Sequence, residues 1–230
     1  MKANDLNAAA DDYVLRASEY IYPPRLKDKV CTNLSDATGI EYDKVNRAIH
    51  SWALSANDNN VNSLNMQRVA GEIFGANFTG WQKQRYESSK NNIDSRLTDS
   101  EAKTFLQEMY KQTQADFASK GIKTVVIYRG YNIAHAISAD EAKNFRRGDK
   151  VKIEMNAMSS WTSAKDIASA FGFGEGGNRL VMRIEVPVSR IIATPHTGFG
   201  CYSEREFVLL GDPDGDMVSI VGGRINGINI

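Results

Sequence analysis

The sequence has only two cysteines, Cys31 and Cys201, and no CxxC or Cys/His spacing accompanies either. Neither a zinc motif nor a disulfide framework is indicated, and no long-range bridge between the two is predicted. An excess of charge is missing as well: 28 Lys plus Arg balance 28 Asp plus Glu. Nothing global draws the chain toward a polyanion or a membrane surface, which leaves room only for a local basic patch. Long apolar runs are absent too. No stretch approaches the roughly 20 residues of a membrane span, and the opening MKANDLNAAADDYVLRASEY lacks the uninterrupted apolar core of a signal peptide. The chain reads as cytoplasmic where it is made, without a membrane partner and without a visible signal for delivery into another cell. Internal repeats and low-complexity segments are also lacking.

What is present is an ordinary globular composition, 42% hydrophobic and 24% charged over 230 residues, enough for one substantial core. To about residue 120 the pattern is helical. Ile40, Val45, Ile49, Trp52 and Ala53 form one stripe, and Val61, Leu64, Met66, Val69, Ile73 and Phe74 form a second that ends at Gly75. A third helix is expected from an N-cap at Asp99 or Ser100, through Phe105, Leu106, Met109 and Phe117, to a stop at Gly121. From residue 122 short β-branched runs take over: IKTVVIYRGY, DKVKIEMNAMSSWTS, RLVMRIEVP, RIIAT, EREFVLL and MVSIVGGRI. One helix, SAKDIASAFG with Ser163 as its cap, interrupts them. Helices first and strands after predict an α+β fold, with a helical region 1–120 packed on a β-rich core 121–230, or one continuous unit.

Residues able to do chemistry concentrate in the strand-rich half. Arg129 follows a buried run, where a guanidinium needs an anion. Ser160 lies in MSSWTS, and CYSEREFVLLG carries Glu204 and Glu206 one residue apart. In an extended segment these two carboxylates share a face while Arg205 points the other way. An isolated Glu-X-Glu is ordinarily a solvated strand edge.

The order Arg129, then Ser160-Trp161-Thr162, then Glu204-Arg205-Glu206 resembles the cholera-toxin-like (R-S-E) class of mono-ADP-ribosyltransferases, in its Glu-X-Glu, arginine-directed subgroup. Phe171-Gly172 closing a short helix and Arg179 opening the next strand fall in the same family order, so the resemblance spans roughly residues 122 to 230. It implies a mixed or antiparallel sheet core, two packed sheets around a cleft for NAD. NAD would be the ADP-ribose donor, nicotinamide would be released with some side hydrolysis of NAD, and no metal would take part.

By the same resemblance Glu206 would stabilise the ribosyl cation through the 2′-hydroxyl, and Glu204 would orient or deprotonate the acceptor. Arg129 would hold an NAD phosphate, with Arg179 as a second candidate and an ordinary salt bridge as the alternative for each. Ser160 would position Glu206 with support from Thr162. Trp161 departs from the small residue usual in that motif, and Ser159 and Ser163 are neighbours that compete for the serine's part. Phe171 would stack beside nicotinamide, or else be buried in the core. FGFGEGGNR, with Gly172, Gly174, Gly176 and Gly177, is expected as a mobile loop over the dinucleotide. TPHTGFGCYSE occupies the place of the target-recognition loop, with Phe199 and Tyr202 as docking aromatics or packed residues, and His196 as a loop residue rather than a metal ligand.

The expected acceptor is an arginine of a target protein, in a bacterial effector, toxin or phage host-modifying enzyme. A nucleobase acceptor and a non-catalytic phage structural module with the same fold are the alternatives. A monomer is assumed.

Overall fold

The computed structural model describes residues 22–54, 60–78, 80–90, 97–133, 144–172 and 178–230. Among these, five helices precede the first strand. α1 (Pro24–Thr38) begins on proline, whose missing N–H falls where a helix leaves that donor unpaired anyway. α2 (Tyr42–Leu54) carries the expected stripe, with Val45, Ile49 and Trp52 buried and Ile40 buried just ahead of it. α3 (Val61–Phe74) is capped by Asn60, whose side chain accepts from the amides of Asn62 and Ser63. α4 (Gly80–Ser89) has no counterpart among the sequence expectations, because GWQKQRYESS offers no apolar stripe. It is tied in by a buried polar contact, Gln82 Nε2 donating to Gln67 Oε1 at 2.7 Å. α5 (Asp99–Ser119) is capped by Thr98 rather than by Asp99 or Ser100. Thr98 Oγ1 accepts from the Glu101 amide and Glu101 Oε2 accepts from the Thr98 amide, a reciprocal pair that satisfies two otherwise unpaired donors.

The strands are β1 (Thr124–Asn132), β2 (Lys150–Ile153), β3 (Met158–Thr162), β4 (Arg179–Pro187), β5 (Ile191–Ala193), β6 (Glu206–Leu210), β7 (Asp216–Ile225) and β8 (Ile228–Asn229), with α6 (Lys165–Gly172) between β3 and β4. The segment expected as one strand, DKVKIEMNAMSSWTS, is two: β2 pairs with β7 at one edge, whereas β3 lies between β1 and β6. The order is β2-β7-β4-β1-β3-β6-β5, with β8 added to β7 and every pairing antiparallel. Two packed sheets were expected, and two half-sheets do pack on each other. Hydrogen bonding joins the two halves in one path, narrowed at β1–β3 to the single pair Tyr128↔Thr162.

Strand alternation explains how the layers meet. On β3, β5 and β6, residues Met158, Val208, Leu210 and Ile192 join the helices in one hydrophobic cluster. Trp161, Leu209 and Ile191 face the other way and join Ile127, Leu180, Met182 and Ile220 of β1, β4 and β7 in a second. This short half-sheet is therefore packed on both faces, with helices on one side and the larger half-sheet on the other. Its far end is braced by Arg190, which donates to both oxygens of buried Asp216 at 2.5 and 3.0 Å and to the Leu210 carbonyl. At Gly211 a Cβ would fall 2.4 Å from the Asn156 carbonyl oxygen, so no larger residue fits where β6 leaves the sheet.

Candidate active site

Glu206 opens β6 and, like Val208 and Leu210 two and four residues on, projects toward the helices. It is 4% exposed. Three donors converge on its carboxylate. The Cys201 amide gives a hydrogen bond of 2.6 Å to Oε2, the indole Nε1 of Trp52 gives one of 3.1 Å to Oε1, and the Ser160 hydroxyl supplies the third. The Glu206 amide donates in turn to the Cys201 carbonyl at 3.2 Å, which closes the 201–206 turn on itself. Burial pushes the Glu206 carboxyl above the ordinary carboxylate range, while these donors and the nearby Arg129 guanidinium pull in the opposite direction.

The register of β3 against β6 decides which serine is in place. Thr162 lies opposite Glu206 and Ser160 opposite Val208. Ser160 is thus the diagonal neighbour of Glu206 on the same face, within reach of its carboxylate. Ser159 and Trp161 are on the opposite face, and Trp161 fills the second core cluster. That accounts for a bulky residue in the middle of the motif. Ser163 does not act as the expected cap, since the Ala164 amide ahead of α6 donates to Thr162 Oγ1 at 3.0 Å.

Glu204 shares the cleft with Glu206, but not through strand alternation. Residues 202–205 form a turn in which Arg205 has φ 48, a left-handed conformation that swings the chain before β6 begins. Thr162 fixes this turn: its hydroxyl donates to the Glu204 carbonyl at 2.6 Å, and the Ser163 amide donates to the Arg205 carbonyl at 3.3 Å. The support expected from Thr162 therefore goes to the Glu204 turn, not to the Glu206 carboxylate. Half-burial, then the charge of Glu206, raise the Glu204 carboxyl as well.

Arg129, on β1, donates from Nη1 to the Ser160 carbonyl at 2.9 Å, and its guanidinium lies 6.0 Å from the Tyr131 ring centre. Arg129, Ser160, Thr162, Phe171, Glu204 and Glu206 all line one cleft of about 510 Å³. Phe171 is 51% exposed at its wall, so the alternative of core burial is set aside.

Three expected residues lie elsewhere. Arg179 is not among the residues lining the cleft; its Nη1 donates to the Phe171 carbonyl at 3.0 Å and holds the end of α6. Phe199 is fully buried, stacked on Trp52 with centroids 4.8 Å apart and packed on Phe105 at 5.3 Å, so it is a core residue and not a docking aromatic. Tyr202 is 43% exposed and meets His196 edge-on, outside the cleft lining. The supposed recognition loop is itself pinned: Tyr22 donates its hydroxyl to the Pro195 carbonyl, and Thr113 and Thr197 share a hydrogen bond of 2.7 Å. Gly174, Gly176 and Gly177 of the expected mobile loop lie outside the described residues.

Sequence reasoning missed Trp52. In the helical stripe it is one more apolar residue, and nothing local announces that its N–H meets a carboxylate 154 positions away. Among the described residues no cluster of three or more His, Cys, Asp or Glu side chains could hold a metal ion, and no helix is long and apolar enough to cross a membrane.

A helical lead-in, an all-antiparallel sheet with a narrow joint, and a cleft beside that joint make up an α+β fold of the ADP-ribosyltransferase type. Residues 76–212 match the family model described as dinitrogenase reductase ADP-ribosyltransferase (DRAT). That is more than half of the chain, and the protein belongs to this family of ADP-ribosyltransferases. No curated protein and no solved structure gives a significant match.

Proposed function

We propose that the protein is a mono-ADP-ribosyltransferase of the R-S-E class, Glu-X-Glu subgroup, that takes ADP-ribose from NAD and passes it to an arginine of a target protein. The observation that carries this reading is the Glu206 carboxylate, buried yet served by three donors, in one cleft with Arg129 and Glu204. A cleft of about 510 Å³ is in the range of small-molecule and cofactor sites. It offers one guanidinium for a phosphate and one carboxylate for the ribose.

NAD as substrate brings a ribosyl bond to an already cationic nicotinamide, which departs with the bonding electron pair and without a proton. Glu206 faces the positive charge that develops on the ribose and accepts from its 2′-hydroxyl. Arg129 holds a donor phosphate. Ser160 keeps Glu206 in place. Glu204, on its braced turn, accepts the proton that the acceptor guanidinium loses as its nitrogen bonds to the ribosyl carbon. Water in the acceptor's place gives slow NAD hydrolysis. Phe171, exposed at the cleft wall, offers its ring to the nicotinamide.

A carboxylate suits a cationic acceptor, and the family's name supplies a protein acceptor, dinitrogenase reductase. Both favour a protein arginine over a nucleobase, and dinitrogenase reductase is the first acceptor to try. The test uses labelled NAD with purified candidate acceptors and with lysate. Label that resists nuclease, disappears with protease and is released by neutral hydroxylamine, which cleaves ADP-ribosyl arginine, is the expected result. Nuclease-sensitive label assigns a nucleobase instead, and no label in any fraction contradicts the transferase reading.

A further inference from the structure

We infer that Trp52 of the helical region is a positioning residue for the reaction, which aims the Glu206 carboxylate through its indole N–H. The inference rests on the reading of Glu206 given above. Trp52 lies outside residues 76–212 that match the family, so this contact comes from the chain's own helical lead-in.

The geometry leaves the indole little freedom. Trp52 is 2% exposed, in α2, one turn beyond buried Ile49. Its ring lies nearly parallel to Phe199, at 11° and 4.8 Å, and Phe199 is held in turn by Phe105 and by its own amide on Met109 Sδ at 3.3 Å. The indole N–H is therefore fixed on Oε1 by α5 and by the 194–200 loop together. Oε1 and Oε2 are held by different parts of the chain, α2 and the Cys201 amide, so the carboxylate plane is set by both. A donor aimed at the charged form favours ionisation, and Trp52 works here against the burial that favours the neutral acid. The charged or titratable groups around Glu206 are Arg129 from β1, whose charge favours its ionised form, and Glu204 from its turn and the Cys201 thiol, both of which the Glu206 charge raises. Trp52 adds no charge of its own, so its removal changes the carboxylate's proton affinity without altering this set.

The test follows two readouts. Trp52→Phe keeps an aromatic ring on Phe199 and removes the indole N–H together with part of the ring's volume. Glu206 works ionised, so activity is lost as pH falls through its raised pKa. Deleting a donor to the charged form raises that pKa further, and the acid limb of nicotinamide release moves up by about one pH unit. A residue that merely packs leaves the limb where it is. Separately, in the full-length wild type the indole N–H resonance of Trp52 shifts with pH along the Glu206 titration, and this shift vanishes in Glu206→Gln. An unmoved limb and an unmoved resonance, with release abolished in Glu206→Gln, overturn the Trp52 assignment alone. Undiminished release in Glu206→Gln overturns the catalytic reading and with it the role of Trp52.

Discussion

Glu206 and Glu204 differ in what surrounds them, and that difference fits the separate roles proposed for them. Glu206 has three donors and a guanidinium close by, whereas Glu204 has only half-burial and the repulsion of its neighbour. Around the first, the donors and the guanidinium oppose the burial that favours its neutral form, and its carboxylate in so dry a place would stabilise a developing cation strongly. The second, half-buried and raised by that burial and by the charge of its neighbour, is open to an acceptor and placed to take its proton. For Glu204→Gln we predict that transfer to an arginine acceptor falls by about 10²-fold or more while NAD hydrolysis changes little. The check is to follow both products in one assay; equal losses would contradict the division of roles.

Much of this was legible in the sequence for a physical reason. Arg129, Ser160 and Glu206 lie on neighbouring strands, where a period of two and simple pairing bring them together. The two glutamates were rightly placed in one cleft for the wrong reason, since the 202–205 turn and not strand alternation does it. Phe199 misled because an aromatic between glycines looks exposed, while in fact the glycines let the loop press closely on α5.

That close approach is a property of the elements. At Gly198 a Cβ would fall 2.2 Å from Met109 Sδ of α5, so the helix and the 194–200 loop meet without room for a methyl group. The same loop leads into Cys201, whose amide donates to Glu206. We predict that Gly198→Ala destabilises the protein by about 1–3 kcal/mol through overpacking, and that it lowers activity as the Cys201 amide shifts. Chemical denaturation and a nicotinamide-release assay on the same samples check this. Unchanged stability would mean that Met109 can swing aside. No sequence pattern exposes such a contact, because residues 109 and 198 belong to elements whose meeting depends on the whole fold. α4 escaped for a related reason: its anchor is the buried Gln82–Gln67 hydrogen bond, and a helix scan weighs apolar faces.

For the molecule as a whole, the helical and strand-rich parts are joined by a shared core. Val30, Leu34, Ile49, Phe105 and Met109 pack in one cluster with Met158, Ile192, Phe199 and Val208. The α+β order was readable from the switch in periodicity near residue 120. The sharing of the core was not, because each helical stripe shows that it is buried without showing against what. The family match runs across that switch, from residue 76 to residue 212. Glu206, the proposed catalytic carboxylate, stands at the meeting of the two parts, with one donor from α2, one from β3 and one from the turn before β6.

The most direct test of this account is nicotinamide release from NAD by the full-length chain and by its Glu206→Gln variant, at neutral pH and matched folded concentration. The account predicts measurable release by the wild type and a loss of about 10²–10³-fold or more in the variant, the scale set by removing a transition-state stabiliser. Release that is undiminished in Glu206→Gln, or absent from a folded wild type, would contradict it.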